Sequence, residues 1–313
     1  MDKGLMIKRN KNMVLFLKEE YADGYGTFIY PNRNKYEGHW NEGQRDGFGV
    51  HTLHDGSKYI GKQKAGMRHG KGIEILPNGE KYAGNWINGA REGMGIYTWP
   101  NGAKYVGEFK DWEENGFGKF IFSNGAEYLG EFKNGESHGK GVMTETDGSR
   151  FEGQWTNGMF NGDGIFKNYN NNVYEGNWLN GSKHGYGAYT IIDLGKYEGQ
   201  WRKDKMEGRG TLTFDNGYFI KGDWSEGQPI LGEASWPNGS KYEGQFRNWD
   251  WHGQGKFSIP GGHHIAGEFR YHEPWETFEY NKNGKMVGKI IDGVQTIENS
   301  SQITPKLEAS FLA

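Results

Sequence analysis

The residues of this chain that could hold a metal or a phosphate do so only if the fold brings them together. His69, His138, His184 and His252 each precede a glycine and occupy one position of a recurring cycle. A zinc ion needs its imidazole ligands at about 2 Å. If each cycle forms two paired strands, these histidines stand about 20 to 30 Å apart and cannot share an ion. They read as turn residues. His263 and His264 could meet His272 and Glu273 between neighbouring cycles, and they too are assigned no metal. Gly135-Glu136-Ser137-His138-Gly139-Lys140-Gly141 has the look of a phosphate loop. Its glycines are too closely spaced, Gly141 stands where a hydroxyl is needed, and no helix follows to aim its dipole at a phosphate. A linear array also sets equivalent residues in stripes and offers no deep pocket for an acid–base pair. Neither an enzyme nor a cofactor is expected.

The elements that carry these residues follow from one cycle, Tyr82 to Lys104, YAGNWINGAREGMGIYTWPNGAK. It holds an aromatic pair around a glycine (Tyr82, Gly84, Trp86), the turn Asn88-Gly89, the pair Gly93 and Gly95, and a second turn at Pro100 to Gly102. Tyr105 then begins it again. Eight unbroken cycles start at Tyr36, Tyr59, Tyr82, Tyr105, Tyr128, Phe151, Tyr174 and Tyr197. The ninth, from Ile220, is a residue short and loses its Gly-x-Gly; the tenth starts at Tyr242; the eleventh, from Ile265, decays through Pro274. Self-similarity of this kind is the mark of a repeat architecture. The domain reading is therefore 1–35 a cap and worn repeat, 36–219 regular repeats, 220–288 irregular and terminal repeats, and 289–313 a tail. Leu5–Lys8 and Met13–Lys18 are read as a capping hairpin.

Each cycle alternates apolar and polar residues with period two and carries Asn-Gly turn signals, which predicts a β-hairpin. If the second aromatic faces the first glycine of its own Gly-x-Gly, then Tyr82, Gly84, Trp86, Gly93, Gly95, Tyr97 and Trp99 share one face. Large rings would cover glycines that have no side chain of their own. The late-strand pairs Phe120 and Phe122, Tyr189 and Ile191, Leu212 and Phe214, and Phe257 and Ile259 extend that apolar face. Lys35, Glu37 and His39, with Glu152, Glu198 and Glu243, suggest that the opposite face is solvated and charge-paired.

Composition bounds the partners. The 313 residues include 53 Gly, 12 Trp, 18 Tyr, 18 Phe and no Cys, with a net charge of −3. Mean hydropathy is low, at −0.90. Near-neutral charge gives no electrostatic basis for nucleic-acid binding. The absence of cysteine fits a reducing compartment. Leu5–Ile7 and Met13–Leu17 do not make a signal peptide, and no apolar run reaches the roughly 20 residues of a membrane helix. A cytoplasmic chain is expected.

The spacing Tyr-Glu-Gly-x-Trp, Asn-Gly, Gly-x-Gly, as in YEGNWLNGSKHGYG from Tyr174, resembles the MORN (membrane occupation and recognition nexus) repeat over residues 20–288. The resemblance implies an all-β fold: an elongated, twisted, single-layer antiparallel sheet of consecutive hairpins. It also implies a non-catalytic scaffold, associated with a cytoskeletal assembly such as a ciliary axoneme or radial spoke. Gln63, where no aromatic stands, and Asn171, where no turn glycine stands, depart from the pattern.

A single sheet leaves its apolar face open, and such a face marks a binding surface. The expected groove is the stripe Tyr36, Trp40, Tyr82, Trp86, Tyr105, Phe109, Tyr128, Phe132, Trp155, Tyr174, Trp178, Tyr197 and Trp201. Its occupant is read as a partner protein's amphipathic helix or extended peptide. The chain's own tail, through Leu307, Phe311 and Leu312, is another candidate. Trp112, Trp249 and Trp251, placed in turns, are further contact residues. Unpaired edges of the terminal strands suggest homo-oligomerisation. A phosphoinositide-binding membrane adaptor is the rival reading; it is disfavoured because lysine and glutamate alternate on one face, leaving only residues 1–20 basic.

Overall fold

The structure is a computed structural model that describes residues 5–7, 15–18 and 21–297, with side chains from 22 to 295. All regular elements among the described residues are β-strands, and every described pairing is antiparallel. The chain forms two compact units, one ending at Tyr169 and the next beginning at Asn170. That division falls inside the run of regular cycles.

In the first unit, hairpins follow one another from Lys35–Asn41 with Gln44–Thr52 to Arg150–Thr156 with Met159–Lys167. In the second they run from Val173–Leu179 with Ser182–Ile191 to His264–Arg270 with Glu273–Tyr280. Leu5–Ile7 and Leu15–Lys18 do not make the expected capping hairpin. Each pairs with the strand Tyr21–Ile29, the first at its end and the second at its start. Strands Met286–Ile291 and Val294–Ile297 add a further hairpin, so the sheet continues past residue 288. The apolar handles Leu307, Phe311 and Leu312 lie outside the described residues.

Local sequence explains the hairpins. Ile87 pairs with Ala90, and the two residues between them have positive φ, 50° for Asn88 and 91° for Gly89. This is the mirror-image turn whose twist matches that of paired strands. Between hairpins, Asn101 Oδ1 accepts the N–H of Ala103 at 3.0 Å, so the Pro-Asn-Gly turn is tied by its own asparagine.

The register differs from the expected one in an informative way. Within the hairpin Gly84 pairs with Gly95, but Trp86 pairs with Arg91. Asn85 alone of the first strand therefore opposes three residues of the second, and the excess is a bulge at Glu92-Gly93-Met94. Gly93 instead faces Phe109 of the following cycle, as Gly70 faces Trp86. The second aromatic thus stands in register with the preceding cycle's glycine, not with its own. Gly93 has φ 69°, and a Cβ there would point towards Asn85 on the opposite face, so Gly93 does not belong to the ring-bearing face.

The two glycines serve different ends. Gly93 supplies the left-handed backbone of the bulge. Gly95 admits a ring: a Cβ added there would come within 2.5 Å of Tyr82 Cε2. Lying across the Gly84–Gly95 pair, Tyr82 reaches the carbonyl of Asn85 and donates its hydroxyl at 2.9 Å. Tyr36, Tyr59, Tyr105, Tyr128, Tyr174, Tyr197 and Tyr242 each make the same bond to the residue three positions on, at 2.7 to 3.1 Å. The side chain of that residue often satisfies the bulge from the other side. Glu131, Asn177, Gln200 and Gln245 accept the backbone N–H inside the Gly-x-Gly at 3.0 to 3.2 Å.

The two substitutions should therefore separate. Gly93→Ala costs about 1 kcal/mol, the usual penalty of an L residue in the left-handed region. Gly95→Ala drives a methyl into the Tyr82 ring and costs about 3 kcal/mol. The urea midpoint should fall further for Gly95→Ala, and equal falls would refute the packing role. Tyr105→Phe should lose about 1 kcal/mol by giving up the bond to Glu108. Tyr105→Ala should lose about 3 to 5 kcal/mol by removing the ring.

Candidate partner-binding face

All thirteen residues expected to line a groove lie on one face, but their rings are packing. Tyr36, Tyr82, Trp86, Tyr105 and Tyr174 are fully buried, and Trp40, Phe109, Tyr128, Phe132, Trp155, Trp178, Tyr197 and Trp201 are at most 9% exposed. From Tyr59 onward they stack edge to face in a ladder within each unit, while Tyr36 and Trp40 pair with each other. In the first unit it runs Tyr59–Trp86–Tyr82–Phe109–Tyr105–Phe132–Tyr128–Trp155–Phe151, with centroids 4.9 to 5.4 Å apart and ring planes 80 to 90° to one another. In the second unit it runs Trp178–Tyr174–Trp201–Tyr197–Trp224. Edge-to-face contact sets the positive ring edge on the negative ring face. The indole N–H of Trp86, Trp155, Trp201 and Trp224 donates to the second glycine's carbonyl in the preceding cycle, at 3.1 to 3.3 Å. Burial pushes the Tyr82 phenol up to about 12, which keeps it a neutral donor at any physiological pH. A partner on this face meets whatever lies over the rings.

Cations lie over them. Arg68 sits 5.0 Å from the Tyr59 centroid and 4.7 Å from that of Trp86. Arg91 sits 5.0 Å from Tyr82, and Lys183 covers Tyr174, Tyr189 and Trp201 at 4.3 to 5.4 Å. These are cation–π distances. Burial lowers the Lys183 pKa, and the Asp204 carboxylate partly restores it. These residues escaped the sequence reading, although a signal existed. Arg45, Arg68, Arg91 and Lys183 all stand five positions after the second aromatic or its replacement.

The late-strand row was expected to be apolar throughout, and in the first two regular cycles it is not. His51 and Glu74 occupy the places of Tyr97 and Phe120. Glu74, 5% exposed, bridges Arg68 at 2.5 Å and Arg91 at 2.8 Å. Arg45 Nη1 is 2.9 Å from His51 Nδ1. Burial, together with Arg45 and Arg68, holds the His51 pKa down to about 4, so its imidazole is neutral at pH 7. Next to this cluster is a cavity of about 440 Å³, lined by Arg45, His51, Tyr59, Gln63, Arg68 and Trp112 among others.

The three turn tryptophans divide. Trp112 has φ 79°, folds back on Trp86 with centroids 5.5 Å apart, and remains 45% exposed. Trp249 has φ 71° and packs on Trp224 in the same way. A bulky residue in the left-handed region is strained. Trp251 is no turn contact: it is 1% exposed and stacks flat on Tyr242 at 4.5 Å.

The opposite face is less charged than expected. Lys35–Glu37, Arg150–Glu152 and Lys196–Glu198 are paired at 2.7 to 2.9 Å. Between the first two, however, the acidic position is taken by Ile60, Ala83, Val106 and Leu129. Ile60 pairs with Ile73, Ala83 with Ile96 and Leu129 with Val142, and Ile73, Ile96 and Leu129 are 39 to 46% exposed. Among the described residues no three His, Asp or Glu side chains are placed to hold a metal ion. His272 pairs instead with Asp250 at 2.8 Å, and His264 stacks on Tyr280.

Comparison with solved structures gives low similarity. The TCP domain of SAS-4 (dCPAP) from Drosophila melanogaster, solved with a proline-rich motif of Ana2 (dSTIL), is 13% identical, with a TM-score of 0.29 over 57% of this chain and 85% of that one. The G-box domain of the microcephaly protein CPAP is 11% identical, with a TM-score of 0.36 over 64% of this chain and all of that one. Virginiamycin B lyase from Staphylococcus aureus gives a TM-score of 0.15 at 10% identity, over 77% of this chain and 94% of that one. At these scores none carries a functional argument. Among curated proteins none matches the chain. The family model of the MORN repeat matches ten times, over residues 21–194, 197–217 and 242–264. From residue 36 on, each copy begins at the tyrosine, or Phe151, whose ring lies across a glycine pair, and the chain belongs to the MORN repeat family.

Proposed function

We propose that the chain is a non-catalytic scaffold that binds a protein segment on its ring-bearing face. The observation that carries this reading is the open sheet: within each unit, the described strands pair side by side, and none forms a second layer over the rings. That face presents half-exposed aromatics such as Phe122, cations over buried rings, and the exposed Trp112. Aromatic and arginine side chains are the residue types that dominate binding hot spots. An extended peptide or an amphipathic helix suits such a surface. The repeat family supports a setting in a cytoskeletal assembly such as an axoneme. The phosphoinositide-binding alternative is disfavoured where the cations of the opposite face are neutralised, as in the pairs Lys35–Glu37, Arg150–Glu152 and Lys196–Glu198.

Site-specific photo-crosslinking tests the face. Benzoyl-phenylalanine at Phe122 or Tyr189 should capture a defined protein from cell extract, identified by mass spectrometry. The same group at Met94 or Leu129, on the other face, should not. Capture from the second pair alone would overturn the assignment. Co-sedimentation with phosphoinositide vesicles at physiological salt, without protein capture, would replace it with the membrane reading.

A further inference from the structure

The ring ladder has one gap in the first unit. Trp40, Trp86, Phe109, Phe132 and Trp155 hold the second aromatic position in its other regular cycles, and Gln63 holds it between Trp40 and Trp86. Gln63 still faces the preceding glycine, Gly47, and still pairs with the residue five positions on, Arg68. An amide is smaller than an indole, and beside Gln63 lies the cavity of about 440 Å³, to whose opening the missing ring contributes. That lies within the range of sites that enclose small ligands.

The lining of this cavity is built for an acceptor. Gln63 is 4% exposed, and its Nε2 is buried without a hydrogen-bond partner. An unpaired buried donor is costly and uncommon in a folded protein. Two guanidiniums, Arg45 and Arg68, line the same space, against one carboxylate, Glu74. Glu74 is already held between Arg68 and Arg91. His51 adds no charge at neutral pH. The walls therefore carry one net positive charge, which suits a monoanion better than a phosphate dianion. Tyr59, Leu53 and Trp112 supply apolar walls for a short stem. Trp112 reaches the cavity from a turn where most other cycles have glycine, at the cost of a strained backbone.

We propose that this cavity receives the carboxylate of an aspartate or glutamate side chain from the bound protein segment, with Gln63 Nε2 and the Arg45 and Arg68 guanidiniums as its donors. The proposal rests on the scaffold reading and specifies it: the partner segment carries an acidic anchor, and the Gln63 gap sets where on the array that anchor docks. Filling the gap should therefore abolish docking while improving packing.

The test uses the full chain and a capped peptide, acetyl-Gly-Glu-Gly-amide, as probe, with the Gln peptide, inorganic phosphate and phosphoinositide vesicles as the other arms. Binding is followed by NMR of the Gln63 side-chain amide and the His51 ring. The charged and titratable groups around His51 are Arg45, Arg68 and Glu74, with Tyr30 and Tyr36 against its ring. A bound carboxylate opposes the two arginines, so the His51 pKa should rise when the Glu peptide is added. The Glu peptide should shift both signals, and the Gln peptide should bind about tenfold more weakly or not at all. Gln63→Trp should raise the urea midpoint and abolish the shifts at His51. Gln63→Glu, which keeps the cavity but reverses its preference, should also abolish binding. No response of either signal to the Glu peptide in a folded protein overturns the proposal, as does a response to phosphate or vesicles alone. So does undiminished partner capture by Gln63→Trp carrying the Phe122 cross-linker. That last outcome would leave the scaffold reading standing, whereas absence of capture by the unsubstituted chain would sink the scaffold reading and the proposal with it.

Discussion

A tyrosine ring laid across a pair of glycines, with its hydroxyl on the carbonyl three residues ahead, recurs through both units of this protein, and the rest follows from it. The paired glycines exist because a Cβ on either strand would occupy the ring's place. The bulge places the carbonyl within the hydroxyl's reach, and the residue that offers that carbonyl commonly turns its side chain to the bulge's own amide. Phe151 shows which part is indispensable: it keeps the ring over the glycines and does without the hydroxyl. The ring fills space, while the hydroxyl ties down a bulge that the Phe151 cycle forms without it.

Single-layer sheets must solve the problem of burying apolar area without a second layer. Here each strand's aromatics shield their neighbours. Successive Tyr and Trp rings stand perpendicular, so each ring's edge closes the next ring's face. Arginine and lysine then cover what the edges leave open. The result is a core one side chain deep, and its outer surface is polarised by charge despite its aromatic content.

Much of this was legible in the sequence. Period-two alternation and Asn-Gly turns gave the hairpins, and the repeat spacing gave all but the last of them, Met286–Ile291 with Val294–Ile297. The register was not legible, because a bulge adds residues to one strand without changing the length of the cycle. Gly93 and Gly95 look equivalent in sequence, yet one bends the backbone and the other makes room for a ring. The groove was misread for a related reason. Alternation tells which side a ring is on, but not that the next cycle's ring will cover it. Trp251 illustrates the same limit, since its place in a turn-like run concealed a stacked core position. Gln63, visible as a departure, acquired meaning only once Arg45, Arg68 and Glu74 were found around it.

The indole-to-carbonyl bonds of Trp86, Trp155, Trp201 and Trp224 each run to the cycle before. A cycle is therefore closed by its successor, which gives the array a polarity matching the direction of synthesis. On the ribosome, a newly emerged hairpin would hold an uncovered tyrosine until about one further cycle had left the exit tunnel, so folding would advance with a constant lag of one repeat. The two ends of the finished array are consequently different in kind.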